Sequence, residues 1–278
     1  MARIATGPGS RPCSVAFAGG SAWASLFGTN EVVRIDPATN AVIARIKVGA
    51  KPCGIAAAAG SVWVGNYTGN SVMRIDPRTN RVVKRFPVSG VYDVLAGLGS
   101  VWATSEQGTL HRINPRRNRL VKTLTIPGPA GGLAITRGAV WVGLANGTAV
   151  VRVDPVRMRV VRSIRTGGGS VWLASAQQAL WVSNQEDGTV TRVDPATNRT
   201  VATIPVGARP ADSGIVGGHL WVPNLAAGTL SRIDPATNRV VETIGVGPGP
   251  FVVPNHGSEL WVGSWGGDDV WRLAPSRS

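Results

Sequence analysis

Three observations predict an all-β fold, a seven-bladed β-propeller of four-stranded antiparallel blades. A tryptophan recurs every 39 or 40 residues, at Trp23, Trp63, Trp102, Trp141, Trp181, Trp221 and Trp261. A turn marker, Arg-Ile/Val-Asp-Pro-x-Thr-Asn in its clearest copies, follows at Asp36-Pro37, Asp76-Pro77, Asn114-Pro115, Asp154-Pro155, Asp194-Pro195 and Asp234-Pro235. The chain ends complement each other. The last copy stops after Val270-Trp271-Arg272-Leu273, one strand short, while Ala2-Arg3-Ile4-Ala5-Thr6-Gly7 resembles Ala44-Arg45-Ile46-Lys47-Val48-Gly49, the fourth strand of the first copy. A repeat of this length belongs to a solenoid, a propeller or an array. An open solenoid needs capping repeats, which neither end resembles, so the opening residues are expected to complete the seventh blade and latch the ring.

The second copy gives the elements in order. Gly54–Ala59 is rich in Ala and Gly, which suits an innermost strand where blades crowd around an axis. Val62–Asn66 carries the anchoring Trp63, and Ser71–Ile75 leads into the turn marker. There Pro fixes φ, Asp bonds the local backbone and Asn tolerates the left-handed region. Arg81–Val88 alternates Val with Arg or Lys, as a solvent-facing edge strand does. No helical period competes. Such blades cannot bury their faces alone and must pack side by side, so residues 1–278 form a single domain.

Composition sets further bounds. No apolar run of about 18 residues is present, so no helical membrane span is expected. The opening Met-Ala-Arg-Ile-Ala-Thr-Gly-Pro-Gly-Ser lacks the hydrophobic stretch of a signal peptide. The chain as it stands reads as a cytoplasmic monomer, and as an exported protein if a leader precedes it. Cys13 and Cys53 occupy equivalent positions in the first two copies and are expected as buried free thiols. The alternative, a bridge between neighbouring blades, requires Cα atoms within about 7 Å.

The formal net charge is +14, concentrated between Arg74 and Arg165, where 16 Lys or Arg face four acids. Arg81, Lys84, Arg85, Arg116, Arg117, Arg119, Arg159 and Arg162 fall on outer strands or the turns before them. A basic wall of this kind either keeps exposed edges from aggregating or binds a polyanion such as nucleic acid, without sequence specificity.

Candidate ligand contacts come from aligning the copies on the anchoring Trp. Four positions after it stand Phe27, Tyr67, Glu106, Ala145, Gln185, Leu225 and Trp265; ten before it stand Cys13, Cys53, Tyr92, Gly131, Val171, Ala211 and Phe251. In a closed ring Trp265, Phe27 and Tyr67 lie on three successive blades. Phe251 and Tyr92 extend that arc, and Asp93 and Glu106 lie at its edge. An aromatic crescent beside carboxylates suits a flat or cationic ligand. His111, His219 and His256 have no evident Ser, Cys or carboxylate partner, so no catalytic triad, catalytic residue or metal ligand is assigned. Asp93, Glu106 and Asp212 are the acids placed to act on protons or to hold a divalent cation.

The unit Gly-x-x-Pro-x-Gly-Ile-Ala…Gly-Ser-Val-Trp-Val-x-Asn…Gly-Thr-Val-x-Arg-Ile-Asp-Pro-x-Thr-Asn-x-Val-Val resembles the YVTN/NHL-type repeat of bacterial seven-bladed propellers. It is also similar to the streptogramin B (virginiamycin B) lyase propeller. The lyase resemblance implies a magnesium-dependent carbon–oxygen lyase using a histidine and glutamates on the channel face. At those positions this chain has Pro12-Cys13-Ser14-Val15 and Pro52-Cys53-Gly54-Ile55, and it reads Asn66, Asn184, Asn224 or Ser264 after the Trp. The YVTN resemblance implies exported relatives, some with nucleic acid as partner. The leading expectation is a non-enzymatic recognition scaffold, needing no cofactor, that binds a small molecule or protein on the loop face around the channel. The magnesium-dependent lyase and the polyanion-binding wall of blades two to four are the alternatives.

Overall fold

In the computed structural model, residues 1–254 and 257–274 are described, and they form seven four-stranded antiparallel sheets arranged in a ring. Blade 1 runs from Pro12 to Lys47, blade 2 from Pro52 to Pro87, blade 3 from Val91 to Thr125 and blade 4 from Ala130 to Arg165. Blade 5 spans Ser170 to Pro205 and blade 6 Gly214 to Gly245. Blade 7 takes Pro250–Val252, Leu260–Ser264 and Asp269–Leu273 from the end of the chain, and its outer strand from Ala2–Ala5. The latch is antiparallel, with Ala2 opposite Arg272 and Ala5 opposite Asp269. In blade 2 the strands are Pro52–Ala58, Ser61–Asn66, Ser71–Asp76 and Arg81–Pro87. The inner strand thus begins two residues earlier than the composition suggests, with Pro52 as its first residue, a position that needs no ladder N–H.

The 39–40-residue period follows from how blades pack. Each anchoring Trp points away from its own blade into the next. Trp23 packs against Ile55, Val62, Val64 and Ile75 of blade 2, and Trp261 closes the circle against Val15, Ala24, Val33 and Ile35 of blade 1. All seven rings are at most 2 % exposed. At about 200 Å² per ring and about 25 cal/mol per Å², each contributes on the order of 5 kcal/mol before entropy is counted. Over each ring lies the Arg of the third strand, Arg34 over Trp23 at 5.3 Å and Arg192 over Trp181 at 5.2 Å. That Arg then crosses the blade boundary. Arg152 donates to the Pro195 carbonyl (3.0 Å) and to Asn198 Oδ1 (2.7 Å), and Arg272 donates to the Pro37 carbonyl and to Asn40 Oδ1. One residue type therefore ties the two sequence markers of successive repeats together.

The turns behave as their residues require. Asp194 Oδ1 accepts the Ala196 N–H at 2.8 Å while Oδ2 accepts the Thr197 hydroxyl, and those bonds hold its carboxyl below the usual range. The Asn four residues on sits at positive φ (Asn198, 57°). In blade 4 Met158 takes that place at φ 52° and is buried, so across the boundary Arg112 finds only the Pro155 carbonyl, while its Nε donates to Ser100 Oγ of its own blade.

The expectation of two free thiols is overturned. Cys13 and Cys53 form a disulfide with a Cα–Cα distance of 5.1 Å, bridging the inner strands of blades 1 and 2. The ring is narrowest there, and it brings equivalent positions of neighbouring blades within bonding reach.

Candidate functional site

The site is built by irregularities in the inner strands. In blades 1 to 5 and blade 7 the inner strand slips register against its partner near its beginning, between Pro12 and Ser14, Pro52 and Ile55, Val91 and Val94, Ala130 and Leu133, Ser170 and Trp172, and Pro250 and Val252. A bulge breaks the alternation of side chains and re-aims them. Consecutive residues at these points serve two separate spaces along the axis: a cup at the mouth and a cavity in the channel below.

The cup holds about 220 Å³. It is walled by Phe27, Tyr67, Tyr92, Trp172, Phe251 and Trp265, with Gln185, Arg209 and Leu225 around them. The rings form a chain of contacts: Tyr92 to Trp172 at 5.3 Å, Trp172 to Phe251 edge-on at 5.1 Å, Phe251 to Trp265 at 5.3 Å, and Trp265 to Phe27 at 4.6 Å. Blades 7, 1, 2, 3 and 5 thus meet at one place. Tyr67 donates its hydroxyl to Glu106 Oε2 of the next blade, a bond that raises the phenol pKa. Burial, helped by the Asp93 charge, pushes Tyr92 to about 12, so this phenol stays neutral. Five of the expected residues, Phe27, Tyr67, Tyr92, Phe251 and Trp265, therefore line the cup together, and Glu106 sits at its side.

Asp93 does not join them. The bulge between Val91 and Val94 turns its carboxylate down into a channel cavity of about 210 Å³, which it shares with Asp212, Ser14, Ser175 and Ser213. Asp93 accepts the N–H of Val94 (2.7 Å) and of Leu133 in the next blade (2.9 Å). Burial raises its pKa to about 6 even against those two bonds. Asp212 is raised well above the usual range by burial and by the charge of Asp93. Trp172, absent from the expected set, is the ring that joins Tyr92 to Phe251. Its signal was a Trp one position after the aromatic column, at a blade whose own column residue is Val171.

The remaining candidates lie elsewhere. His111 is held between the hydroxyls of Thr109 and Thr123 on blade 3, and burial lowers its pKa. His219 contacts the Gly217 carbonyl, and His256 lies outside the described residues. Among the described residues no three His, Cys, Asp or Glu side chains converge on a point where a metal ion could sit. Glu106 is not among the residues that line the Asp93–Asp212 cavity, so the described residues do not bring together the donor set that the lyase resemblance implies for magnesium. The eight basic residues Arg81, Lys84, Arg85, Arg116, Arg117, Arg119, Arg159 and Arg162 are all exposed on the outer wall of blades 2 to 4. None of them takes part in the ion pairs found among the described residues. No helix is long and apolar enough to cross a membrane.

These features define a class, a disulfide-bridged seven-bladed propeller with an aromatic cup at the channel mouth. No family model and no curated protein sequence matches the chain. Among solved structures it is similar to virginiamycin B lyase from Staphylococcus aureus, with a TM-score of 0.87 at 16% identity over 98% of both chains. It is similar also to hydrazine synthase of Kuenenia stuttgartiensis, with a TM-score of 0.85 at 14% identity over 98% of both chains. At such identities the likeness establishes the seven-bladed fold alone.

Proposed function

We propose that this chain is a recognition scaffold without catalytic chemistry, whose cup takes a flat apolar group presented by a small molecule or by a protein. The observation that carries this is the convergence of six aromatic rings from five blades on one open concavity. Rings offer large contact area at small entropic cost, and a concave apolar wall with few polar groups is the usual form of a ligand site. The neutral aromatic 3-methylindole is a direct probe. Tyr67→Ala and Trp265→Ala are expected to abolish its binding in calorimetry while lowering the melting temperature little, since both side chains stand at the rim. Binding that survives both changes would remove the proposal.

Two other readings have some support. The shared fold with virginiamycin B lyase supports a lyase, and turnover of a cyclic depsipeptide that EDTA stops would establish it; the separation of Glu106 from the channel acids weighs against it. The eight exposed cations of blades 2 to 4 that enter no ion pair among the described residues support a polyanion surface, for which binding to duplex DNA should collapse between about 50 and 200 mM salt. The Cys13–Cys53 bridge supports export to an oxidising compartment.

A further inference from the structure

Resting on the reading of the cup as a ligand site, we infer that its ligand carries an acidic group on the flat body, held by Arg11, Lys51 and Arg209. The position twelve residues before each anchoring Trp forms the lip of the channel mouth. In blades 3, 5 and 7 it is Gly90, Gly169 and Gly249, at φ 58°, 63° and 65°, a left-handed conformation natural to glycine. In blade 4 it is Pro129. In blades 1, 2 and 6 it is Arg11, Lys51 and Arg209, held in that same region at φ 48°, 52° and 54°. At this loop position every residue that is neither glycine nor proline is a cation, and each adopts a conformation that costs a side chain energy. Strain of this kind collects where a ligand is gripped.

These cations stand beside the cup walls. The carbonyl of each accepts the N–H of the wall residue in its own blade: Arg11 from Phe27, Lys51 from Tyr67 and Arg209 from Leu225, at 3.2, 2.9 and 3.0 Å. The Lys51 ammonium lies 5.5 Å from the centroid of the Phe27 ring, and Arg209 lines the cup directly. No ion pair among the described residues engages any of the three. The nearby Asp268 carboxylate is committed to the backbone N–H groups of Gly9 and Arg11. Arg11 lines an adjoining pocket with Gly9, Trp265 and Asp268. Blades 6, 7, 1 and 2 are consecutive, so the three cations stand on the arc that carries Phe251, Trp265, Phe27 and Tyr67. Glu106 and Glu186, on blades 3 and 5, line a neighbouring cavity that Tyr67, Tyr92 and Arg209 also border. A ligand with one acidic end is drawn to the cations and repelled from the two glutamates, which sets its orientation as well as its charge.

A matched series tests the charge separately from the cup. Indole-3-acetate, 3-methylindole and tryptamine share one ring and differ only in ending as an anion, neutral or a cation. Calorimetry on the full chain at low salt is expected to rank them in that order, the acetate about tenfold or more ahead of 3-methylindole. The triple variant Arg11→Gly, Lys51→Gly, Arg209→Gly should bind all three alike, with an unchanged or higher melting temperature, because glycine fits this position in three other blades. If the triple variant does not fold, Arg209→Gly alone must cut the advantage of the acetate severalfold. Tryptamine binding as well as the acetate, or an acetate advantage that persists in the glycine variants, overturns the inference while leaving the cup as a site. Binding of none of the three removes the cup as a ligand site, and the inference with it.

Discussion

Arg152 covers Trp141 of its own blade at 5.5 Å and reaches Pro195 and Asn198 of the next. Replacing it by Met keeps part of the packing but loses the charge on the ring and two cross-boundary bonds, a cost of about 1–3 kcal/mol. Arg112 offers an internal comparison. Facing Met158 instead of Asn, it makes one fewer bond across the boundary but donates to Ser100 Oγ in its own blade, where Arg152 has Ala139, so Arg112→Met and Arg152→Met should lower the midpoint of urea unfolding by similar amounts. The repeating Arg and Asn were plain in the sequence. Their partnership was not, because the two residues lie more than 40 positions apart and meet only once blades are adjacent. Asp212 makes a second residue-level prediction. Its folded pKa is raised, so its contribution to stability is full below the ordinary carboxylate pKa and is lost as pH rises through the raised value. Asp212→Asn should therefore raise the melting temperature at pH 8 and change it little at pH 4. A variant that gains nothing at pH 8 would show that the charge there is well solvated.

At the scale of elements, the strand pattern was legible because alternation and turn residues announce it locally. The bulges were not. A one-residue slip leaves no mark in composition, yet it sends Tyr92 up to the cup and Asp93 down to the channel, and so separated two residues that looked like neighbours in one arc. The latch strand was legible through its resemblance to another fourth strand, and its anchoring adds a detail. The N–H groups of Gly9 and Arg11 bond the Asp268 carboxylate, while the hydroxyl and N–H of Thr6 bond the Asp268 carbonyl. The Arg11 N–H first, and that of Gly9, lower the Asp268 pKa. The sign is opposite to that of Asp212: this stability is present above the ordinary carboxylate pKa and is lost as pH falls through the depressed value. Asp268→Asn should lower the melting temperature at pH 7, and the gap from the parent should close as the pH is brought down towards 2.

For the whole molecule, the Trp period and the complementary ends were enough to count the blades and to predict where the ring closes. What the period could not convey is which side chains meet across the axis, since contacts among blades 3, 5 and 7 depend on the radius of the ring. The disulfide belongs to the same category: only the closed geometry brings equivalent positions within reach. It spans 40 residues, and on chain-entropy grounds its loss should cost about 4 kcal/mol. Cys13→Ser with Cys53→Ser, or mild reduction of the parent chain, should lower the unfolding midpoint accordingly. A midpoint that does not move would mean that the packed blades already hold that edge of the ring.

Thr6 and Asp268, 262 residues apart, are joined by the hydroxyl-to-carbonyl bond at the seam. During synthesis the first strand leaves the ribosome long before its companion exists, so up to six blades can assemble while the opening segment waits unpaired. The growing protein must keep that segment out of mistaken pairings until the final hairpin emerges, and the slow event in its maturation is expected at that point.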